Sequence, residues 1–183
     1  MLKAVKRILI IKLRDIGDVV LSTPVIRVLN DNCPAPEITY VVKKEYEYFR
    51  FLLPHVKEVL TYDKNNPFDF LRLVFKLRSR KFDLAVNLHA TFRSALITLL
   101  SGAGLRLVHN HSGKNFFSSA PLDIIEGPKA NTMRDLDTIS PLKITLRPGM
   151  LKTKLELKDE ISGFMNFDAV EEAVGFGIGA KRR

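Results

Sequence analysis

Within ten residues the chain carries an arginine (Arg14), a glycine (Gly17), a carboxylate (Asp18) and two adjacent hydroxyls (Ser22, Thr23). They follow the apolar run Ile8–Ile11 and lead into Pro24, so they sit where a buried strand turns into a helix. Open α/β sheets bind ligands at such junctions, outside the carboxyl ends of their strands. A carboxylate there can take a proton from a bound hydroxyl, or simply cap the helix as a plain N-cap. A guanidinium fork suits phosphate and carboxylate, with solvated surface as the alternative. Gly17 permits a tight turn and close ligand approach, or the turn alone. Ser22 and Thr23 either bond a ligand or bond back to the helix around Pro24. Arg93 stands at a second strand-to-helix junction, after the run Phe82–Leu88.

The elements that must hold these groups are legible from hydrophobic period and turn residues. Strands are predicted over residues 7–13, 37–43, 57–62, 82–88 and 105–109. Helices are predicted over 18–29, 45–53, 67–80 and 91–101, with Asp18 as an N-cap and Pro24 kinking or restarting the first of them. This alternation implies an α/β fold: a Rossmann-like parallel sheet with helices on both faces and right-handed crossovers. Beyond His109 the pattern weakens. A loop is expected over 115–129, a helix over 131–140, a strand over 154–157, a connecting helix over 159–167, and a fresh strand over 173–178 that ends at Gly179.

The totals narrow the function classes. A chain of 183 residues with 46% hydrophobic content suits one domain or slightly more. Its one cysteine, Cys33, excludes an internal disulfide and fits a reducing compartment. There is no secretory signal, and the run Ala95–Leu100 is too short to span a bilayer, so a soluble, cytoplasmic protein is expected. A net charge of +9 points to an anionic partner: nucleic acid, an acidic membrane face, or a phosphorylated or carboxylated substrate. The densest basic run, Arg72, Lys76, Arg78, Arg80 and Lys81, reads as a solvated helix face or as an attraction to anionic lipid. No metal is expected: His55 and His89 are isolated, and His109 and His111 have no companion ligand at the right spacing. Asp135 and Asp137 form an Asp-x-Asp pair, but positions i and i+2 of a helix do not face one another, so a solvated helix face is expected there.

Three segments resemble glycosyltransferase family 9, the ADP-heptose:lipopolysaccharide heptosyltransferases and their relatives. The first is Ile8–Leu13 with Arg14, Gly17-Asp18 and Ser22-Thr23-Pro24. The second is Phe82–His89 followed by Thr91-Phe92-Arg93-Ser94-Ala95, where Asn87 and His89 depart from the commoner Asp and Gln. The third, Val174–Ala180, is similar to the first strand and Pro-Gly-Ala turn of the family's nucleotide-binding domain, with Ile178 in place of the proline.

The resemblance implies the N-terminal half of a GT-B fold. Residues 1–158 would be an acceptor-side Rossmann-like domain, 159–172 a connecting segment, and 173–183 the opening strand and turn of a truncated nucleotide-sugar domain. It implies inverting transfer of a heptose-type sugar from a nucleotide sugar, ADP-heptose in the family's commonest theme, to an anionic glycolipid of the lipopolysaccharide inner core. No cofactor is implied beyond that donor. Asp18 becomes the general base, and Arg14, Gly17, Ser22, Thr23 and Arg93 become substrate-binding residues. Gly179, Ala180 and Lys181 are weak donor-phosphate candidates, because the family's phosphate-contacting lysine would fall beyond Arg183. The implied site of action is the inner face of the cytoplasmic membrane, with no nucleic acid, and the 183-residue chain is expected to be inactive alone. The alternative is a non-catalytic basic module that binds an anionic glycolipid or nucleic acid.

Overall fold

The computed structural model describes residues 2–89, 91–110, 117–120, 122 and 129–156. Five strands form one parallel sheet: β1 (Arg7–Ile11), β2 (Glu37–Lys43), β3 (Val56–Tyr62), β4 (Leu84–Asn87) and β5 (Leu105–Val108), in the order β3-β2-β1-β4-β5. The apolar run of β1 is buried on both sides because it is the central strand, hydrogen-bonded to β2 and β4. Chain order reverses between β1 and β4, which makes their carboxyl ends the switch point where such sheets open a crevice.

Helices cover both faces, as expected. Ile8, Ile10, Ile38, Tyr40, Val42, Leu84 and Val86 meet the helices α1 (Ile16–Leu21), α2 (Thr23–Asn32) and α5 (Asn131–Thr138). Leu9, Ile11, Val41, Leu60 and Ala85 meet α3 (Pro67–Arg78) and α4 (Phe92–Leu100) on the opposite face. α3 starts with Asn66 Oδ1 accepting from the Phe68 amide at 3.0 Å and Pro67 in the first turn. α4 starts with a capping box in which Thr91 and Ser94 bond each other's amides.

Several expectations are corrected. Pro24 restarts the helix: α1 ends at Leu21, and the proline takes an early position of α2, where its missing N–H costs nothing. Asp18 is not the N-cap. Asp15 holds that position, with extended backbone (φ −76°, ψ 166°), and Asp18 lies in the first turn. Gly17 also lies inside that turn rather than at a tight turn, and a β-carbon there would meet nothing within 4 Å. The expected helix over 45–53 is a 3-10 helix, Lys44–Phe51, kinked at Tyr46; its one buried side chain is Phe49, which is too little apolar surface to hold a full amphipathic α-helix. Residues 154–156 form no strand. Their amides go to the Thr23 hydroxyl and the Leu52 carbonyl rather than to a sheet edge. The expected elements over 159–167 and 173–178 lie outside the described residues.

Candidate functional site at the sheet switch point

The chain leaves β1 through Lys12, Leu13 and Arg14, and two hollows open on either side of this segment. The smaller, of about 90 Å³, is lined by Arg14, Asp18, His109, Asn131 and Arg134, with the Lys12–Asp135 pair at its wall. The larger, of about 590 Å³, is lined by Lys43, Tyr62, Lys64, His89, Thr91 and Arg93 among others.

Asp18 is half-buried, and its Oδ1 accepts from Asn131 Nδ2 of α5 at 2.9 Å. Among the described residues no other hydrogen bond reaches this carboxylate, so it keeps acceptor capacity toward the hollow. α5 is fastened beside it. Thr132 Oγ1 donates to the Leu21 carbonyl at 3.1 Å, and Lys12 Nζ donates to both oxygens of Asp135 at 2.6 and 2.7 Å. Lys12 and Asp135 are each 3% exposed at the side chain. This overturns the solvated-face reading of Asp135; of the Asp-x-Asp pair only Asp137 faces outward, to Lys129 at 3.0 Å. Burial pushes the Asp135 carboxyl up to about 6, against the opposing pull of the Lys12 ammonium. His109 Nδ1 meets Thr138 Oγ1 at 3.0 Å, closing the far wall.

Around the larger hollow a buried polar network replaces apolar packing. Asn87, fully buried at the end of β4, donates to Thr98 Oγ1 at 3.0 Å and to Ser94 Oγ at 3.2 Å, and its Oδ1 accepts from the His89 amide at 2.9 Å. The loop bearing His89 and Thr91 is thereby fixed at the rim. His89 is pushed down to about 4, first by burial and then by the nearby charges of Arg14, Lys12 and Lys43. At neutral pH it is an uncharged imidazole, and its Nδ1 has no hydrogen-bond partner among the described residues. Lys43 bonds the exposed Asp15 carboxylate at 2.7 Å across the end of the sheet.

The structure separates the residues singled out from sequence. Arg14 and Asp18 share the smaller hollow. Arg93, whose NH1 donates to Tyr62 Oη at 3.3 Å, belongs to the larger one. Ser22 and Thr23 reach neither: they are 0% and 2% exposed. Ser22 Oγ donates to the Val19 carbonyl at 2.7 Å and pairs with Tyr40 Oη at 2.6 Å, and Thr23 Oγ1 donates to the Val20 carbonyl at 2.8 Å. Both hydroxyls bond back to helix carbonyls around Pro24, the alternative stated from the sequence. Gly179, Ala180 and Lys181 lie outside the described residues. Sequence reasoning missed Asn131 as the partner of Asp18, and Lys12, Arg134 and Asp135 as further lining of its hollow; the one available signal was a lysine ending a buried strand. Among the described residues no group of three or more His, Cys, Asp or Glu could hold a metal ion.

No family model matches the chain, and no curated protein matches it. Solved structures do. The chain is similar to a glycosyl transferase family 9 structure from Veillonella parvula, at TM-score 0.65 and 24% identity over 79% of this chain and 42% of that one. It is similar to E. coli heptosyltransferase WaaC with ADP, at TM-score 0.63 and 15% identity over 78% of this chain and 48% of that one. It is similar to E. coli ADP-heptose LPS heptosyltransferase II, at TM-score 0.64 and 19% identity over 86% of this chain and 49% of that one. What is shared is the fold, and the chain spans about half the length of these structures or less.

Proposed function

We propose that this chain is the acceptor-side domain of a glycosyltransferase, with Asp18 as its general base. The observation that carries the reading is the setting of Asp18. A carboxylate lies at the switch point of a sheet that is also found in heptosyltransferases, held on one oxygen by Asn131 and lined by Arg14 and Arg134. In the proposed step an acceptor hydroxyl attacks the anomeric carbon of a nucleotide sugar. The new C–O bond forms as the bond to the diphosphate breaks, the nucleotide leaves with the electron pair, and the hydroxyl proton passes to Asp18. Attack opposite the leaving group inverts the anomeric centre.

The donor proposed is ADP-heptose, since structural neighbours were solved with ADP and with an ADP-2-deoxy-2-fluoro heptose. The acceptor proposed is an anionic inner-core glycolipid. Its phosphates and carboxylates suit the cation-lined hollows, through Arg14 on one side and through Lys43, Lys64 and Arg93 on the other. Such an acceptor implies action at the inner face of the cytoplasmic membrane. Among the described residues no helix is long and apolar enough to cross a membrane.

The test is ADP release from ADP-heptose, with an inner-core glycolipid acceptor, by the protein encoded by the whole reading frame. Acceptor-dependent release that disappears in Asp18→Asn supports the reading. Glycolipid binding by the chain with no release from any nucleotide sugar would overturn it in favour of a non-catalytic binding module.

A further inference from the structure

α3 is apolar on two opposite sides, and its fold uses only one of them. Leu73, Val74 and Leu77 are buried, Leu73 and Leu77 in the core beneath the sheet with Phe70 half-buried beside them. Phe68, Leu71 and Phe75, spaced by three and four residues, form a stripe along the outer side. They are 77%, 54% and 70% exposed, so the stripe contributes almost nothing to the core. Cations flank it. On helical spacing Arg72 and Lys76 lie along one edge and Arg78 along the other, all exposed. The acids nearby are already engaged. Asp69 Oδ2 accepts from the Asp63 amide at 2.7 Å, and Glu58 pairs with Arg80 and, at 3.6 Å, with Lys76.

We propose that the outer side of α3 docks this protein on an anionic lipid bilayer. Aromatic rings with cations on both flanks match a membrane interface, where rings enter the headgroup boundary and basic side chains meet lipid phosphates. A protein partner fits less well. Even at roughly 150–250 Å² per large side chain, three such groups fall short of the ~800 Å² that each side of a stable protein interface buries. The stripe also starts beside the larger hollow. Asp63, Lys64 and Asn65 line that hollow, and Phe68 follows Asn65 by three residues. Docking through α3 therefore brings the mouth of the hollow to the lipid surface. That an acceptor glycolipid enters from there rests on the transfer reading above; the docking surface itself does not.

Co-sedimentation of the 183-residue chain with vesicles of phosphatidylcholine and phosphatidylglycerol, free of any glycolipid acceptor, tests the surface apart from the chemistry. The chain is expected to bind these vesicles, to bind phosphatidylcholine alone at least ~10-fold more weakly, and to lose binding as salt rises. Phe68→Ser with Phe75→Ser is expected to cut binding to anionic vesicles ~10-fold or more with an unchanged unfolding midpoint, since neither ring is in the core. Arg72→Glu with Arg78→Glu is expected to do the same, on a scale of roughly five-fold per cation removed. Absence of binding to anionic vesicles, or binding that both double variants retain, overturns the proposal. So does a concentration-dependent dimer of the wild-type chain that Phe68→Ser with Phe75→Ser abolishes, since the stripe would then serve a second copy.

Discussion

Lys12 and Asp135 form a doubly hydrogen-bonded ion pair at 2.6 and 2.7 Å, closed off from water between the end of the central strand and α5. The pair ties α5 to the sheet, and α5 carries the Asn131 that holds Asp18. Removing either partner strands a buried charge, which typically costs ~3–5 kcal/mol. Lys12→Met and Asp135→Leu should each destabilise the chain by about that much in a chemical denaturation series. The combined variant should recover most of the loss. Equal, additive losses would show that the two charges do not depend on each other.

The assignment of Asp18 predicts a loss of rate without a loss of fold. Asp18→Asn should lower the acceptor-dependent turnover of the proposed transferase by ~10²–10⁴-fold. The denaturation midpoint should stay within the ±0.5 kcal/mol of an ordinary surface change. Asn131→Ala should fall between, because it removes the bond that aims the carboxylate and leaves the carboxylate itself. Asp18→Asn at wild-type turnover would remove the general base from the scheme.

His89 sets a pH dependence whose sign follows from its environment. Its folded value lies near 4, against an ordinary 6.5, so the unfolded chain takes up the proton first as pH falls. The stabilisation it contributes is fully present above about pH 6.5 and is lost as pH drops through 4. NMR titration should place the His89 ring well below the ordinary histidine value. In His89→Gln the slope of stability against pH between these limits should flatten, and a His89 that titrates near 6.5 would contradict the buried setting.

Ser22 and Thr23 should behave as structural hydroxyls. Ser22→Ala removes a bond to a carbonyl and one to the buried Tyr40 phenol, so a loss of ~1–3 kcal/mol in stability is expected. Tyr40→Phe should share part of that loss, and the two together should cost less than their sum. In the proposed transfer reaction the KM for the acceptor should not move with Ser22→Ala. A raised KM at unchanged stability would return the hydroxyl to the substrate.

The sheet was legible because strand, turn and helix each have a local signature. The buried run of β1, the alternation of Ile38, Tyr40 and Val42 in β2, and Gly102 after α4 all mark their elements without reference to anything distant. The switch point followed, since a sheet of this kind places it at the end of β1. The other groups around Asp18 were not legible. Asp135 lies 123 residues from Lys12, and on α5 its spacing to Asp137 marks it only as one polar position among several. Nothing local distinguishes a carboxylate that turns inward to a lysine from one that faces water. Ser22 misled for a related reason: a hydroxyl beside a proline reads alike whether it faces a ligand or closes a helix break. The backbone decided, because Pro24 divides the helix there and both hydroxyls donate to carbonyls of the preceding turn, inside the packed structure.

The clamp on Asp18 also sets an order of events at the ribosome. All five strands have been synthesised once Val108 is made, whereas Asn131 is still to come. At roughly 5–20 residues per second the gap is about 1–5 s. In that interval the strands exist, but Leu136, Ile139, Leu142 and Met150, which complete the core on one face, and the amide that will aim residue 18 do not. The residue that aims the carboxylate thus arrives with the segment that closes one face of the sheet, and the site matures together with that part of the core.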